Sequence, residues 1–183
     1  MSSTTRRSAL LRLAGLCGLA LSGDLLAAVS AANTKPGLLA PDALALTGVL
    51  AELVIPATDT PGALAVGAHH TISHMLNVCE SPARQAQFLA GLARMDAVAQ
   101  EQGGKPFAKL PKARQITLLK ALDTASAPFN GTDKQFFTQL KQYTLFAYYT
   151  SEAGATRELA YLPVPGSFKG NFPLKKTTRT WAL

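Results

Sequence analysis

Apolar positions recur along most of this chain at the three- and four-residue spacing of one helix face, and nowhere in the sustained alternation of a strand. Leu46, Val49, Leu50, Leu53 and Val54 form the first such face, and Pro56 stops it. After the turn Thr58-Asp59-Thr60-Pro61-Gly62, a second helix is predicted over Val66 to Val78. Ser81-Pro82 reads as an N-cap followed by proline at the first helical position. The helix it opens carries Phe88, Leu89, Leu92, Met95 and Ala99 on one side and Arg84, Gln87, Arg94 and Gln100 largely on the other, and Gly103-Gly104 ends it. Pro111 starts a fourth helix with Ile116, Leu119 and Leu122, which must finish before Pro128. Thr132 with Gln135 reads as a capping box for a fifth, carrying Phe136, Phe137, Leu140, Tyr143, Ala147 and Tyr148. The pattern predicts an all-α, single-domain bundle of about five helices over residues 33–161, with Asn33 to Ala40 as the linker leading in.

Two features do not fit a plain bundle. Phe146, Tyr148 and Tyr149 point in different directions around the last helical turn, so they cannot all face one core, and at least one is expected to meet a partner or the segment that follows. From Leu162 onward the helical period disappears. Residues 162–183 contain Pro163, Pro165 and Pro173, the apolar residues Phe168, Phe172 and Trp181, and the cations Lys169, Lys175, Lys176 and Arg179, with no acidic side chain after Glu158. Such a stretch reads as an extended basic arm that must lie on the bundle, on a partner, or across both.

At the other end, Thr5-Arg6-Arg7-Ser8-Ala9-Leu10-Leu11 looks like a twin-arginine export signal, with Arg6 and Arg7 as the pair that is read. Two apolar runs, Leu13 to Gly23 and Leu25 to Ala32, flank Asp24, and neither reaches the roughly 18–20 residues of a membrane span. Ala28, Ser30, Ala31 and Ala32 suit a peptidase, which makes residues 1–32 the signal peptide. A lipid anchor on Cys17 is disfavoured by Leu16, which is not a small residue. The chain has 183 residues, 48% hydrophobic and 16% charged, as expected of a globular protein. Removing Arg6, Arg7, Arg12 and Asp24 takes two net charges from the +7 of the whole chain and leaves +5. In an exported protein that surplus suits an acidic partner or anionic lipid headgroups better than nucleic acid. Cys79 is then the one cysteine left, without a partner for an internal disulfide; it is expected to be buried, the alternative being one half of a bridge to a partner chain.

The residues Leu145-Phe146-Ala147-Tyr148-Tyr149-Thr150-Ser151-Glu152-Ala153-Gly154-Ala155-Thr156, continuing through Leu159, Tyr161, Pro163-Val164-Pro165-Gly166 and Gly170, resemble the gluconate 2-dehydrogenase subunit 3 family. So does Glu52-Leu53-Val54-Ile55-Pro56-Ala57-Thr58-Asp59-Thr60-Pro61-Gly62-Ala63, on the turn after the first helix. The resemblance implies a small, non-catalytic subunit of a membrane-associated, FAD-dependent dehydrogenase of a sugar, polyol or sugar acid. It implies that FAD sits in a large glucose-methanol-choline-like partner subunit, and haem c, where present, in a third, multihaem cytochrome subunit. The small subunit would carry the signal, so that the folded flavoprotein leaves for the periplasm attached to it and stays peripheral to the inner membrane through the complex. Partner contact is expected at Tyr148, Tyr149, Glu152, Pro163, Pro165, Phe168, Phe172, Lys175, Lys176 and Trp181.

Other chemistry has weaker support in the residues. His70 and His74 are four apart and share a helix face, with His69 adjacent, and a free periplasmic binding or metal-carrying protein using these three histidines is the alternative reading. Thr71, however, stands where a zincin motif has its Glu, and a polar patch on a partly exposed helix explains the group as well. Ser151 beside Glu152, or Asp59 with a histidine, could be imagined as a hydrolytic set, but no nucleophile elbow accompanies them. Gly62 with Gly67, and Gly166 with Gly170, lack the spacing and the strands of a dinucleotide cradle. One mature cysteine cannot attach a haem through Cys-x-x-Cys-His or ligate an iron–sulfur cluster.

Overall fold

The computed structural model describes residues 37–160 together with 166, 170, 171, 173, 175 and 178–180. The expectations for Arg6, Arg7, Pro163, Pro165, Phe168, Phe172, Lys176 and Trp181 therefore lie outside the described residues. Five α-helices make the bundle: α1 (Pro41–Val54), α2 (Ala68–Cys79), α3 (Pro82–Gly103), α4 (Lys112–Asp123) and α5 (Gly131–Tyr149). A short 3-10 turn (Phe107–Lys109) precedes α4, and a π-helical turn (Gly154–Glu158) follows α5. No strand occurs among the described residues, and the all-α bundle is as the sequence pattern predicts.

α5 is the central helix, in contact with each of the other four. Phe136, Phe137, Leu140, Ala147 and Tyr148 are buried along it, and the burial of each large side chain contributes about 1.5–3 kcal/mol. Phe136 meets Phe88 of α3 edge-on, with ring centroids 5.1 Å apart. The close approach depends on Gly91, where a Cβ would stand 2.2 Å from the Phe136 ring. α1 contributes Leu46, Leu50 and Ala51 to the core, and α2 contributes Ala68, Ile72 and Leu76. The segment leading into α1 is fastened to α2, since the Leu39 amide donates to Ser73 Oγ (3.0 Å) and the Leu38 amide to the Ser73 carbonyl (3.3 Å).

Helix ends follow local chemistry, with one correction. Ser81 caps α3, Pro82 occupies its first turn, and left-handed Gly104 (φ 66°) terminates it, as predicted. The capping box of α5 is formed by Asn130 and Asp133, not by Thr132 and Gln135. Asn130 Oδ1 accepts from the amides of Thr132 (2.8 Å) and Asp133 (3.1 Å), while Asp133 accepts from the Asn130 amide (3.0 Å). Asparagine accepts as well as threonine at an N-cap, and a shift of two residues keeps the same spacing.

Three side chains also depart from their predicted places. Ile116 and Leu89 are exposed, and α4 instead buries Gln115 and Leu118 with Leu119 and Leu122. Gln115 is accommodated because its Nε2 donates to the Phe107 carbonyl (2.9 Å). Cys79, expected inside, is exposed at the end of α2 beside Val78, which is 58% exposed. Short helices leave their last turn outside the packed seam, and burial preference by residue type does not register that position.

Candidate functional site

The two stretches that carry the family resemblance lie about ninety residues apart in sequence and meet in space at the C-terminal end of α5. The first is the loop between α1 and α2. Its organiser is Glu52, in the last turn of α1, whose carboxylate accepts from the amides of Ala57 (3.1 Å) and Leu64 (2.9 Å). Both ends of the loop thus hang on one side chain, and the Ala63 amide closes the base on the Ile55 carbonyl (2.9 Å). Gly62 has no room for a side chain, since a Cβ there would fall 2.4 Å from the Glu52 carboxylate oxygens and 2.7 Å from the Ala57 nitrogen.

The second stretch is the chain leaving α5. Ser151 Oγ donates to the Tyr148 carbonyl (2.6 Å) and accepts from the Gly154 amide (3.1 Å), folding the backbone back on the helix end. A Cβ on Gly154 would lie 2.0 Å from the Tyr148 carbonyl oxygen, so only glycine allows this approach. The π-helical turn then runs to Glu158 and is closed by the Leu159 amide on the Gly154 carbonyl (3.1 Å). Turns of this kind are often found at functional positions.

Side chains join the two stretches. Tyr148 donates its hydroxyl to the Pro61 carbonyl (2.9 Å), and Thr60 donates its own to Glu158 Oε2 (2.7 Å). The end of the C-terminal arm arrives at the same place, where the Ala160 amide donates to the Thr180 carbonyl (2.8 Å). Two open clefts flank the junction. One, of about 500 Å³, is lined by Asp59, Thr60, Tyr149, Arg157, Glu158 and Arg179, among others. The other, of about 300 Å³, lies between Pro61, Ala65 and Val66 on one side and Ser151, Glu152 and Arg157 on the other. A wider groove of about 910 Å³ runs between α3 and α5 past Arg84, Gln87, Arg94, Lys134 and Gln139, away from the junction.

The expected partner-contact residues divide accordingly. Tyr148 is 1% exposed and its hydroxyl is committed to Pro61, so it belongs to the core rather than the surface. Tyr149 is 37% exposed and packs edge-on against Tyr148. Burial, then the charge of Glu158 and the neighbouring Tyr148, push its phenol above the ordinary tyrosine range, so it remains a neutral donor. Phe146, one of the three aromatic residues of which at least one was expected to face outward, is 54% exposed, and Leu145, not noted from the sequence, is 44% exposed on the same turns of α5. Glu152 is exposed at the rim of the smaller cleft, and Lys175 is exposed in the arm. What the sequence did not disclose was Glu52 as the loop's organiser and Thr60–Glu158 as its tie; the Glu52 signal was visible as an acid at the end of an apolar helix with no cation nearby in sequence.

The histidines are arranged differently. The His69 and His70 rings lie with centroids 4.1 Å apart and planes tilted by 38°, and His69 Nδ1 is buried without a hydrogen-bond partner. Burial first, and the charge of His70 second, hold His69 below the ordinary histidine range. His70 and His74 are exposed on α2. Among the described residues no group of three or more His, Cys, Asp or Glu side chains is placed to hold a metal ion.

Over residues 41–166 the chain matches the family model described as gluconate 2-dehydrogenase subunit 3. No curated protein and no solved structure matches it. The matched span covers more than half of the chain and includes the loop, α5, the π-helical turn and the start of the arm. The chain belongs to the gluconate 2-dehydrogenase subunit 3 family.

Proposed function

We propose that this chain is the non-catalytic small subunit of an FAD-dependent dehydrogenase complex, needed to stabilise the flavoprotein subunit and to carry it through the twin-arginine route to the periplasm. The family's name makes its members subunits of a dehydrogenase complex, which is the firm part of the reading. FAD is assigned to a large glucose-methanol-choline-like partner, and haem c, where the complex has it, to a membrane-bound cytochrome subunit. The oxidised compound is a sugar, polyol or sugar acid whose pocket belongs to the partner.

The observation that supports this most is the junction of the two family stretches. Its internal polar groups are spent on bonds within the chain, while Leu145, Phe146 and Tyr149 stay exposed beside it. Aromatic side chains held on a rigid helix end are the usual anchors of a protein–protein interface. The hydroxyl, carboxylate and amide groups there act as structural ties.

The test is export. With Arg6 and Arg7 both replaced by lysine, this chain and its flavoprotein partner are expected to stay together in the cytoplasm, as measured by fractionation and flavin content. Full arrival of the partner in the periplasm would show that it travels without this escort.

A further inference from the structure

Between Glu101 and Asp123 the chain carries five cations, Lys105, Lys109, Lys112, Arg114 and Lys120, and no carboxylate. They lie along the connection from α3 to α4 and down the exposed side of α4. Lys105 follows the left-handed Gly104 that ends α3, Lys109 closes the 3-10 turn, and the other three lie on α4. Arg114 reaches back to the Gln102 carbonyl (3.4 Å), which ties the start of α4 to the end of α3. All five side chains are exposed. The ion pairs among the described residues are Arg84–Glu80 and Lys141–Asp123, so none of the five takes part in one. Two carboxylates border these cations: Asp123, at the end of α4, is held by Lys141 of α5, and Asp96 of α3 accepts from the Phe107 amide (2.8 Å).

One apolar side chain belongs to the same surface. α4 turns Gln115, Leu118, Leu119 and Leu122 inward. Lys112, Ile116 and Lys120 follow at four-residue intervals down one exposed side, so Ile116, 39% exposed, stands between two lysines.

We propose that this surface docks on an anionic phospholipid bilayer, with Lys105, Lys109, Lys112 and Lys120 among the headgroup phosphates and Ile116 at the acyl boundary. The composition distinguishes this from other polyanions. Protein interfaces are depleted in lysine and enriched in aromatic residues and arginine, and this surface has four lysines, one partly engaged arginine and no exposed aromatic ring. Single-stranded nucleic acid is gripped by stacking on aromatic rings, for which nothing here serves. Lysine ammonium groups are compact point charges on flexible stems, suited to a diffuse layer of phosphates rather than to a fixed fork of oxygens. Each adds to adsorption on an anionic leaflet, and a single aliphatic side chain among them adds shallow insertion. This surface shares no residue with the junction beside Tyr149, so this chain could hold a lipid surface and a protein at once.

The experiment is co-sedimentation of the full chain with vesicles of phosphatidylglycerol and phosphatidylethanolamine, and with vesicles of phosphatidylcholine alone. Binding is expected to the first and not the second, and to fall away as salt is raised toward about 0.5 M. The fourfold variant Lys105→Gln, Lys109→Gln, Lys112→Gln and Lys120→Gln should lower partitioning at least about tenfold. Ile116→Ser should lower it by about threefold. Both variants change exposed side chains, so their melting temperatures should match the parent's. Lys175→Gln with Lys176→Gln keeps this surface intact and should change partitioning less than about twofold. The proposal is overturned if the fourfold variant sediments as the parent does, if neutral vesicles retain the chain equally, or if a DNA or RNA duplex competes the chain off the vesicles through these same lysines.

Discussion

At the scale of single residues, His69 is the group whose environment has the clearest consequence. Its Nδ1 is enclosed without a partner, and burial and the neighbouring His70 both disfavour the imidazolium. With the folded pKa below the unfolded one, the unfolded chain takes up the proton first as the medium is acidified. The stability that depends on neutral His69 is therefore complete above about pH 6.5 and declines as pH falls through the lowered folded value. Replacing His69 with phenylalanine keeps an aromatic ring and removes the titration. Thermal melts at pH 7.5 and pH 5.5 should show a larger fall in Tm for the parent than for His69→Phe. Equal falls would mean that His69 titrates as a solvated histidine and that its enclosure is without energetic effect.

At the scale of elements, the clasp between the α1–α2 loop and the turn after α5 depends on backbone approaches that allow no Cβ. Gly154 is the clearest, with the Tyr148 carbonyl oxygen 2.0 Å from where a methyl would be, and the obstacle is backbone that cannot swing aside. Gly154→Ala should cost about 1–3 kcal/mol through forced displacement of the turn, seen as a lower denaturation midpoint with an unchanged slope. Because Glu158 would move with the turn, the tie to Thr60 should weaken too, and amide exchange should quicken in residues 58–63 while α3 and α4 keep their protection. An unchanged exchange pattern in the loop would separate the two stretches. Much of this scale was legible in the sequence. Proline, glycine and serine signals placed α3 within a residue of its ends, because caps act locally. The apolar period of α5 identified its core face, apart from Tyr143, which is half-buried with its hydroxyl turned to Glu80. The π-helical turn and the service of Glu52 to two distant amides were not legible, since both depend on where the chain returns in space. Ile116 was placed on the core face of α4, where Leu118 lies instead, because a twelve-residue helix holds too few apolar residues to fix its rotation by period alone.

At the scale of the whole molecule, the core and the surfaces offered to partners separate along the chain. Among the described residues the buried apolar core runs from Leu39 to Tyr148. The described part of the arm meets the folded body at the Ala160–Thr180 hydrogen bond and helps to wall the cleft beside Tyr149. That hydrogen bond is worth about 0.5–1.5 kcal/mol, small against the burial of α5. If the arm packs chiefly on the partner, as its non-helical sequence suggests, ending the chain after Tyr161 should lower Tm by no more than a few degrees. It would also remove Phe168, Phe172 and Trp181, and desolvated aromatic anchors each contribute about 2 kcal/mol or more to an interface. Co-purification of the proposed flavoprotein partner should then fall far more than the stability does. Phe146→Ser with Tyr149→Ser, which leaves the arm in place, should weaken the same complex if the exposed end of α5 and the arm form one continuous surface. The decisive comparison is melting and co-purification measured on the same two variants. A truncated chain that unfolds, or one that melts normally and still retains the flavoprotein in full, would move the interface away from the arm and leave the exposed turn of α5 to account for it alone.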